Sequence, residues 1–289
     1  MNAIDVRPMK HPDIAGVAAV VEAANEQADR RAGRTPEERT PEQRQAFARG
    51  MHRFVDRDPG GAWVAVDGDT VVGMAEAVRR DSFWGLSMLF VRPEQQSTGL
   101  GRRLLDACMA YAEGADVRMI LTSPDPRALR RYSLAGLAIH PAVEAEGVVD
   151  RTQIPTALPG RPGDASDLDL VAEVDSALRG SRAEDVGFLV GDGAGLEIVD
   201  HRGGRGFAVH RRNRLSMLGA TDDATAALLL WRVLAQTEGK AEVWGMTAGQ
   251  DWAVKVALAA RMKVTGAGPL FVGGRERPPG PWLPSGWYF

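Results

Sequence analysis

Apolar positions along the chain follow two periods, and the changes of period mark out the elements. Over "DIAGVAAVVEAANEQADRRAG" (13–33) apolar residues recur every three or four positions, as in a helix with one buried face. A polar stretch, "RTPEERTPEQRQ", follows, and the helical period returns in "AFARGMHRFVDR". "GAWVAVDGDTVVGMAEAVRR" reads as two strands around a Gly68-Asp69 turn. "GLSMLFV" is a short unbroken apolar run, which predicts a buried strand. "RRLLDACMAYAEG" predicts a helix with Leu104, Leu105, Cys108, Met109 and Ala112 on one face and Gly114 at its end. "VRMILTS" then reads as a strand, "PRALRRYSLAG" as a helix and "AIHPAV" as a strand. From Glu144 to Asp167 the chain is rich in Pro, Gly and Thr. "IPTALPGRPGDASD" reads as a linker, which puts a domain boundary near residue 153.

The second half repeats the first. "LSML" occurs at 86–89 and again at 215–218, and at the same spacing "RRLL" (102–105) falls on "WRVL" (231–234). "LAG" (134–136) falls on "LAA" (258–260) a few residues out of that register. The strand-helix-strand-helix order is kept around these anchors, as a duplicated domain requires.

Composition narrows the classes. The chain has 289 residues, 44% hydrophobic and 25% charged, enough for two domains of ordinary globular make-up. A net charge of -3 without like-charge blocks argues against nucleic acid or an anionic membrane as partner. The single cysteine, Cys108, excludes an internal disulfide and a cysteine-based metal site. Neither an apolar leader nor a run of membrane-spanning length is present, so a cytoplasmic location is expected.

The sharpest chemical signal is "EQQSTGLGRR" (94–103), between the strand and the helix. A strand that ends in a Gly-rich turn and opens a helix points several free N–H groups at one spot, a natural phosphate site. Arg102 and Arg103 oppose the helix dipole and make sense if a bound phosphate supplies negative charge. A Walker A loop needs Gly-Lys-Ser/Thr after its second glycine, and none follows. A dinucleotide fingerprint needs a third glycine where Leu104 stands. The remaining pattern is Gln/Arg-x-x-Gly-x-Gly/Ala, met by Gln96, Ser97, Thr98, Gly99, Leu100 and Gly101.

With this pattern and its lead-in of Leu89, Val91 and Pro93, the sequence resembles the GNAT acetyltransferase superfamily. "DPRALRRYSLAGL" (125–137) resembles the family's second block, Asn-Pro-x-Ala-x-x-Leu-Tyr-x-x-x-Gly-Phe. Pro126, Ala128, Tyr132 and Gly136 agree, while Asp125, Arg131 and Leu137 depart from it. The resemblance implies an α/β (α+β) protein of two tandem GNAT folds, each a mixed, mostly antiparallel sheet flanked by helices. It implies a catalytic domain over 1–153 and a degenerate one over 154–289. The backbone around Leu89 and Val91 would pair with the pantetheine arm of acetyl-CoA. The loop from Gln96 to Gly101, with Arg102, would hold the pyrophosphate. Asp125 stands where the family has an Asn that touches the arm, and an ionised Asp can only accept hydrogen bonds.

The implied reaction is acetyl transfer from acetyl-CoA to a primary amine by direct attack on the thioester, with no metal. Tyr132 is the matched general acid. No motif fixes the general base: Glu76, mid-strand in "GMAEAVRR", is the first candidate unless it faces solvent, and His140 the second. Cys108 sits on the apolar helix face and reads as core. Trp63, Phe83 and Trp84 could line an acceptor pocket, core packing being their ordinary role. A small amine, an amino acid, an antibiotic or a peptide N-terminus all remain open as acceptor, as does a homodimer.

In the second half, counting by the repeat puts Leu228 and Leu230 at the two loop glycines and Val256 at Tyr132. Thr221, Asp222 and Asp223 supply that helix with its own cap and charge. The second copy is therefore expected to bind no cofactor and to serve packing, the acceptor wall or dimerisation. The alternative from another class is a CoA-binding regulatory or scaffold protein without turnover. A last strand from "SGWYF" could bring the carboxylate of Phe289 to the first domain's cleft.

Overall fold

Two strands and two helices open the chain in the computed structural model, which describes residues 4–274 and 280–288. They are β1 (Asp5–Pro8), α1 (Ile14–Arg31), α2 (Pro41–Arg57) and β2 (Trp63–Asp67). β3 (Thr70–Arg80), β4 (Phe83–Val91), α3 (Leu100–Ala110), β5 (Val117–Leu121), α4 (Pro126–Leu134), β6 (Ala138–His140) and β7 (Val143–Val148) complete the first repeat. The second repeat runs β8 (Arg161–Pro162), α5 (Leu168–Leu178), α6 (Ala183–Gly191), β9 (Gly195–His201), β10 (Gly204–Arg211) and β11 (Arg214–Ala220). It closes with α7 (Asp223–Gln236), β12 (Lys240–Met246), α8 (Asp251–Ala259), β13 (Lys263–Gly266), β14 (Leu270–Gly273) and β15 (Trp282–Leu283). The fold is the mixed α/β arrangement expected, with two sheets flanked by helices.

The sequence pattern places most of these elements and misses two starts. α2 begins at Pro41, inside the stretch read as polar. Thr40 caps it: its hydroxyl accepts from the Gln43 amide, and the Gln43 side chain accepts from the Thr40 amide. This is a capping box with proline in the first turn, a helix start written wholly in polar residues. β7 lies inside the segment read as the start of a linker.

Contacts divide the chain into two compact units, Met1–Arg79 with Trp84–Gly114 and Arg80–Phe83 with Ala115–Phe289. In the first unit β1, β2 and β3 pair antiparallel in sequence order, with Asp5 opposite Val66 and Trp63 opposite Ala75. Gly73 of β3 faces α3, since a Cβ there would lie 3.0 Å from Leu104. Strand alternation therefore turns Glu76 to the face opposite α3. Val17, Val20 and Val21 of α1 and Phe47, Met51 and Phe54 of α2 are buried, as are Leu104, Leu105 and Cys108 of α3.

In the second unit strands from the two sides of residue 153, the boundary expected from the sequence, interleave. β14, the last full strand of the second repeat, lies between β5 and β6 of the first, with Leu270 opposite both Leu121 and His140. β7, the last strand of the first repeat, lies between β12 and β13 of the second, with Glu146 opposite both Glu242 and Lys263. The order β13-β7-β12-β11-β10-β9-β8 follows. All these pairs are antiparallel except β11 with β12, which run parallel. α7 and α8 cover this sheet with Leu229, Leu230, Val233, Trp252 and Val256.

A buried charge cluster sits in the same unit. Arg80 forks onto Asp185 at 2.6 and 2.9 Å, and Arg182 forks onto Asp175 at 2.8 and 2.7 Å, all four side chains fully enclosed or nearly so. Between them Arg179 stacks 3.6 Å over the Phe83 ring. Burial above all, then the charges of Arg182 and Arg80, hold the Arg179 guanidinium well below its ordinary pKa. Removing one partner of such a pair strands a buried charge, which typically costs about 3–5 kcal/mol.

Candidate active site

The β4–α3 connection carries the strongest geometry. After Val91 the chain makes a short 3-10 turn over Pro93–Gln95 and then crosses Gln96–Gly99 into α3. Ser97 and Gly99 take left-handed conformations, with φ 65° and 88°. Such reversals turn successive amides toward one side, the arrangement that cradles anions. A Cβ built on Gly99 would meet no atom within 4 Å, so the space over this backbone is open to a ligand. The loop is braced from within. Gln96 Nε2 donates to Val91 O at 3.1 Å and Thr98 Oγ1 donates to Gln95 O at 2.8 Å. Those side chains hold the loop's shape; of the first amides of α3, those of Arg102 and Arg103 turn back onto Gly99 O at 3.0 and 3.2 Å, and the ones before them lie ahead of the regular helical ladder.

Arg102 stands on the first turn of α3, largely exposed, with its Nε 3.4 Å from Asp106. A surface pair of this kind contributes little stability, so Arg102 stays available to an anion. Leu89 is half-buried and Val91 is buried on β4. Beside the loop, Ala23, Glu26, Gln27, Arg30 and Arg31 of α1 with Pro93 and Glu94 line an open groove of about 420 Å³. Its charges are mixed.

Glu76 is fully buried on β3, which excludes a solvated strand position. Cys108 is fully enclosed on α3, and its Sγ donates to Gly61 O at 3.2 Å. Burial first, and then the charge of Glu76, push its thiol well above the ordinary value, so it is core rather than a nucleophile.

The second block lies in the other unit. Asp125 caps α4: its Oδ1 accepts from the Arg127 amide at 2.8 Å, and its Oδ2 accepts from Arg127 Nη2 at 2.6 Å. The Asp125 hydrogen bond raises the Arg127 pKa in return. Tyr132, in the last turn of α4, is 4% exposed and meets Phe271 of β14 edge to face, centroids 5.6 Å apart. The exchanged strand thus supplies the wall that fixes the tyrosine ring. His140 on β6 is half-buried, and its Nε2 has no hydrogen-bond partner among the described residues.

Two expectations change: the acceptor-pocket reading of Phe83 and Trp84, and the placing of Leu228 and Leu230 at the loop. Phe83 and Trp84 are wholly buried, Phe83 beneath Arg179, so neither lines an open pocket. Trp63 is half-buried, with its indole N–H on Gly60 O at 2.9 Å. Leu228 and Leu230 are not at the loop position: α7 begins at Asp223, and both leucines lie inside the helix. Phe289 lies outside the described residues. Sequence reasoning did not find the buried Arg–Asp cluster, whose members are spread over β3, α5, α6 and the connection between the two helices.

Asp222 caps α7, as its sequence suggests. Its Oδ1 accepts from the Thr225 amide at 2.9 Å and its Oδ2 from the Thr225 hydroxyl at 2.7 Å. Among the described residues no group of His, Cys, Asp and Glu could hold a metal, and no helix is long and apolar enough to cross a membrane.

Comparison with known proteins bears on the family and the fold. Residues 21–137 match the model of the Acetyltransferase (GNAT) family. No curated protein matches the sequence. A provisionally designated acetyltransferase from Pyrococcus horikoshii has a similar structure, at TM-score 0.76 and 13% identity, over 100% of this chain and 97% of that one. So does a GCN5-related N-acetyltransferase from Sphaerobacter thermophilus, at TM-score 0.59 and 15% identity, over 93% and 95% of the two chains. A tandem GNAT protein from the clavulanic acid biosynthesis pathway aligns at TM-score 0.59 and 16% identity, over 94% and 98%. Residues 21–137 therefore match the GNAT acetyltransferase family, and the chain shares its fold with tandem GNAT proteins.

Proposed function

We propose that the chain acetylates a primary amine by direct attack on the thioester of acetyl-CoA, with one cofactor site, in the first repeat (1–153). The observation that carries this reading is the loop Gln96–Gly101, braced from within, left-handed at Ser97 and Gly99, and open above Gly99. Its amides and Arg102 hold the pyrophosphate, and the β4 backbone at Leu89 and Val91 pairs with the pantetheine arm. Asp125, committed to the α4 cap and Arg127, acts by setting that helix and with it Tyr132.

In the reaction the amine nitrogen forms a bond to the acetyl carbon, and the carbon–sulfur bond breaks with its electron pair going to sulfur. Tyr132 gives its hydroxyl proton to the thiolate. Glu76 takes the proton released by the amine, through water, since its carboxylate is enclosed. The residues 154–289 form a second GNAT fold without a cofactor loop and serve as structural support.

The test is a panel of amines with acetyl-CoA, following thiol release, on wild type and Tyr132→Phe. General acid catalysis is worth about 10²–10⁴ in rate, and a thiol is a fair leaving group. Turnover of the variant should fall roughly 100-fold with little change in KM. Equal turnover would reduce Tyr132 to packing. A wild-type chain that binds acetyl-CoA and acetylates none of the amines would favour the scaffold reading.

A further inference from the structure

The parallel strands β11 and β12 are bridged at one position, Arg214 opposite Glu242. Past that bridge the chain's own last segment lies along both strands. On one side β15 pairs antiparallel with β11, with Leu218 opposite Leu283 and Gly219 opposite Trp282. The Ala220 amide donates to Pro281 O at 2.9 Å. On the other side Pro284 sits against Gly245 of β12, where a Cβ would come within 2.6 Å of the proline ring. Gly245 has φ 69°, so no other residue takes this place without strain.

The segment is seated, not draped. Trp282, Leu283, Ser285 and Tyr288 are each 5% exposed or less. The Trp282 ring lies 5.0 Å from the Arg179 guanidinium and 5.7 Å from that of Arg182, so it joins the buried charge cluster as its aromatic partner. Trp252 of α8 holds the start of the segment by donating its indole N–H to Gly280 O at 2.9 Å. The Ser285 hydroxyl accepts from the amides of Trp287 and Tyr288. Main-chain pairing on one strand, an aromatic anchor on buried cations and a glycine seat opposite are the parts of a strand-addition site.

We propose that the fork between β11 and β12 is a peptide slot and that residues 280–288 are its built-in ligand. β11 is the repeat's counterpart of β4, the strand assigned above to the acyl-CoA arm, so this comparison rests on the proposed function. In the second repeat that role has passed from a cofactor to a peptide. The second repeat is closed to acetyl-CoA by an occupant as well as by the absent phosphate loop. The ligand class of the slot is an extended peptide with an aromatic residue followed by an aliphatic one and proline.

The experiment compares the full chain with one ending at Gly274, adding the synthetic peptide of residues 280–288 in trans and titrating acetyl-CoA into each. The shortened chain should melt several degrees lower, bind one equivalent of peptide and regain its melting temperature. The same peptide with Trp282→Ala and Leu283→Ala should bind at least tenfold more weakly. Acetyl-CoA should stay at one equivalent throughout. An unchanged melting temperature, a folded short chain that ignores the peptide, or a second equivalent of acetyl-CoA on that chain would each overturn the slot.

If the short chain does not fold, Trp282→Ala in the full chain serves instead. The Ala220 amide, bonded to Pro281 O, should then exchange hydrogen at least tenfold faster, with acetyl-CoA affinity unchanged. Unaltered exchange would overturn the proposal. A loss of acetyl-CoA binding by every chain, with peptide binding intact, would sink the proposed function and leave the slot standing.

Discussion

Two connections in this protein join an equivalent strand to an equivalent helix by opposite means. From β4 to α3 the chain takes Arg92–Gly99, a 3-10 turn and two left-handed residues, and enters a helix whose first turn carries no acid. From β11 to α7 it takes only Thr221 and Asp222, and Asp222 fills the N-cap. The first helix start has no acidic residue of its own, which is the feature the proposed pyrophosphate site uses. The second supplies its own carboxylate and hydroxyl partners. What differs between a binding site and a structural joint here is a short stretch of loop and the owner of the negative charge.

The comparison can be broken most severely at Gly99. Leucine there must hold φ near 88°, which costs about 1–2 kcal/mol, and its side chain stands in the open space over the amides. Acetyl-CoA affinity of Gly99→Leu should fall roughly 30-fold or more, equivalent to about 2 kcal/mol. Calorimetry beside a near-ultraviolet spectrum checks it: unchanged affinity in a folded chain removes the pyrophosphate assignment.

A smaller effect is expected at the other joint. Asp222→Ala should cost about 1 kcal/mol of stability and leave acetyl-CoA affinity alone. Burial pushes the Asp222 carboxyl up, but hydrogen bonds from Thr225 and Thr221 outweigh it and hold the pKa below the ordinary value. A carboxyl with a lowered folded pKa contributes fully above its unfolded pKa. That contribution fades as pH falls through the folded value. Urea melts of wild type and variant should therefore differ at pH 7 and converge toward pH 3. A gap that persists unchanged in acid would mean that the charge has no part in the cap.

Much of this contrast is legible in residues alone. "QSTGLG" and "TDDAT" are local signals, and loops and caps are set by neighbours in sequence. The repeat was also legible, since "LSML" marks both β4 and β11. Residue-by-residue counting from it failed, because the second connection is shorter and α7 starts earlier, which carries Leu228 and Leu230 into the helix. The conclusion drawn from them, no glycine loop, stands for a different reason: there is no loop. The exchange of β7 and β14 was not legible, because apolar alternation says that a segment is a strand and not which sheet takes it. The peptide slot was hidden for the same cause. Trp282 and Leu283 read as an apolar pair near the end of the chain, and their partners, Gly219 and Leu218, lie far off in sequence.

The most direct test of the account is the number of acetyl-CoA equivalents bound by the full chain in a calorimetric titration. One equivalent per chain, weakened by Gly99→Leu and untouched by Asp222→Ala, is the predicted result. Two equivalents of similar affinity, or one that survives Gly99→Leu unchanged, would contradict the division of labour between the two repeats.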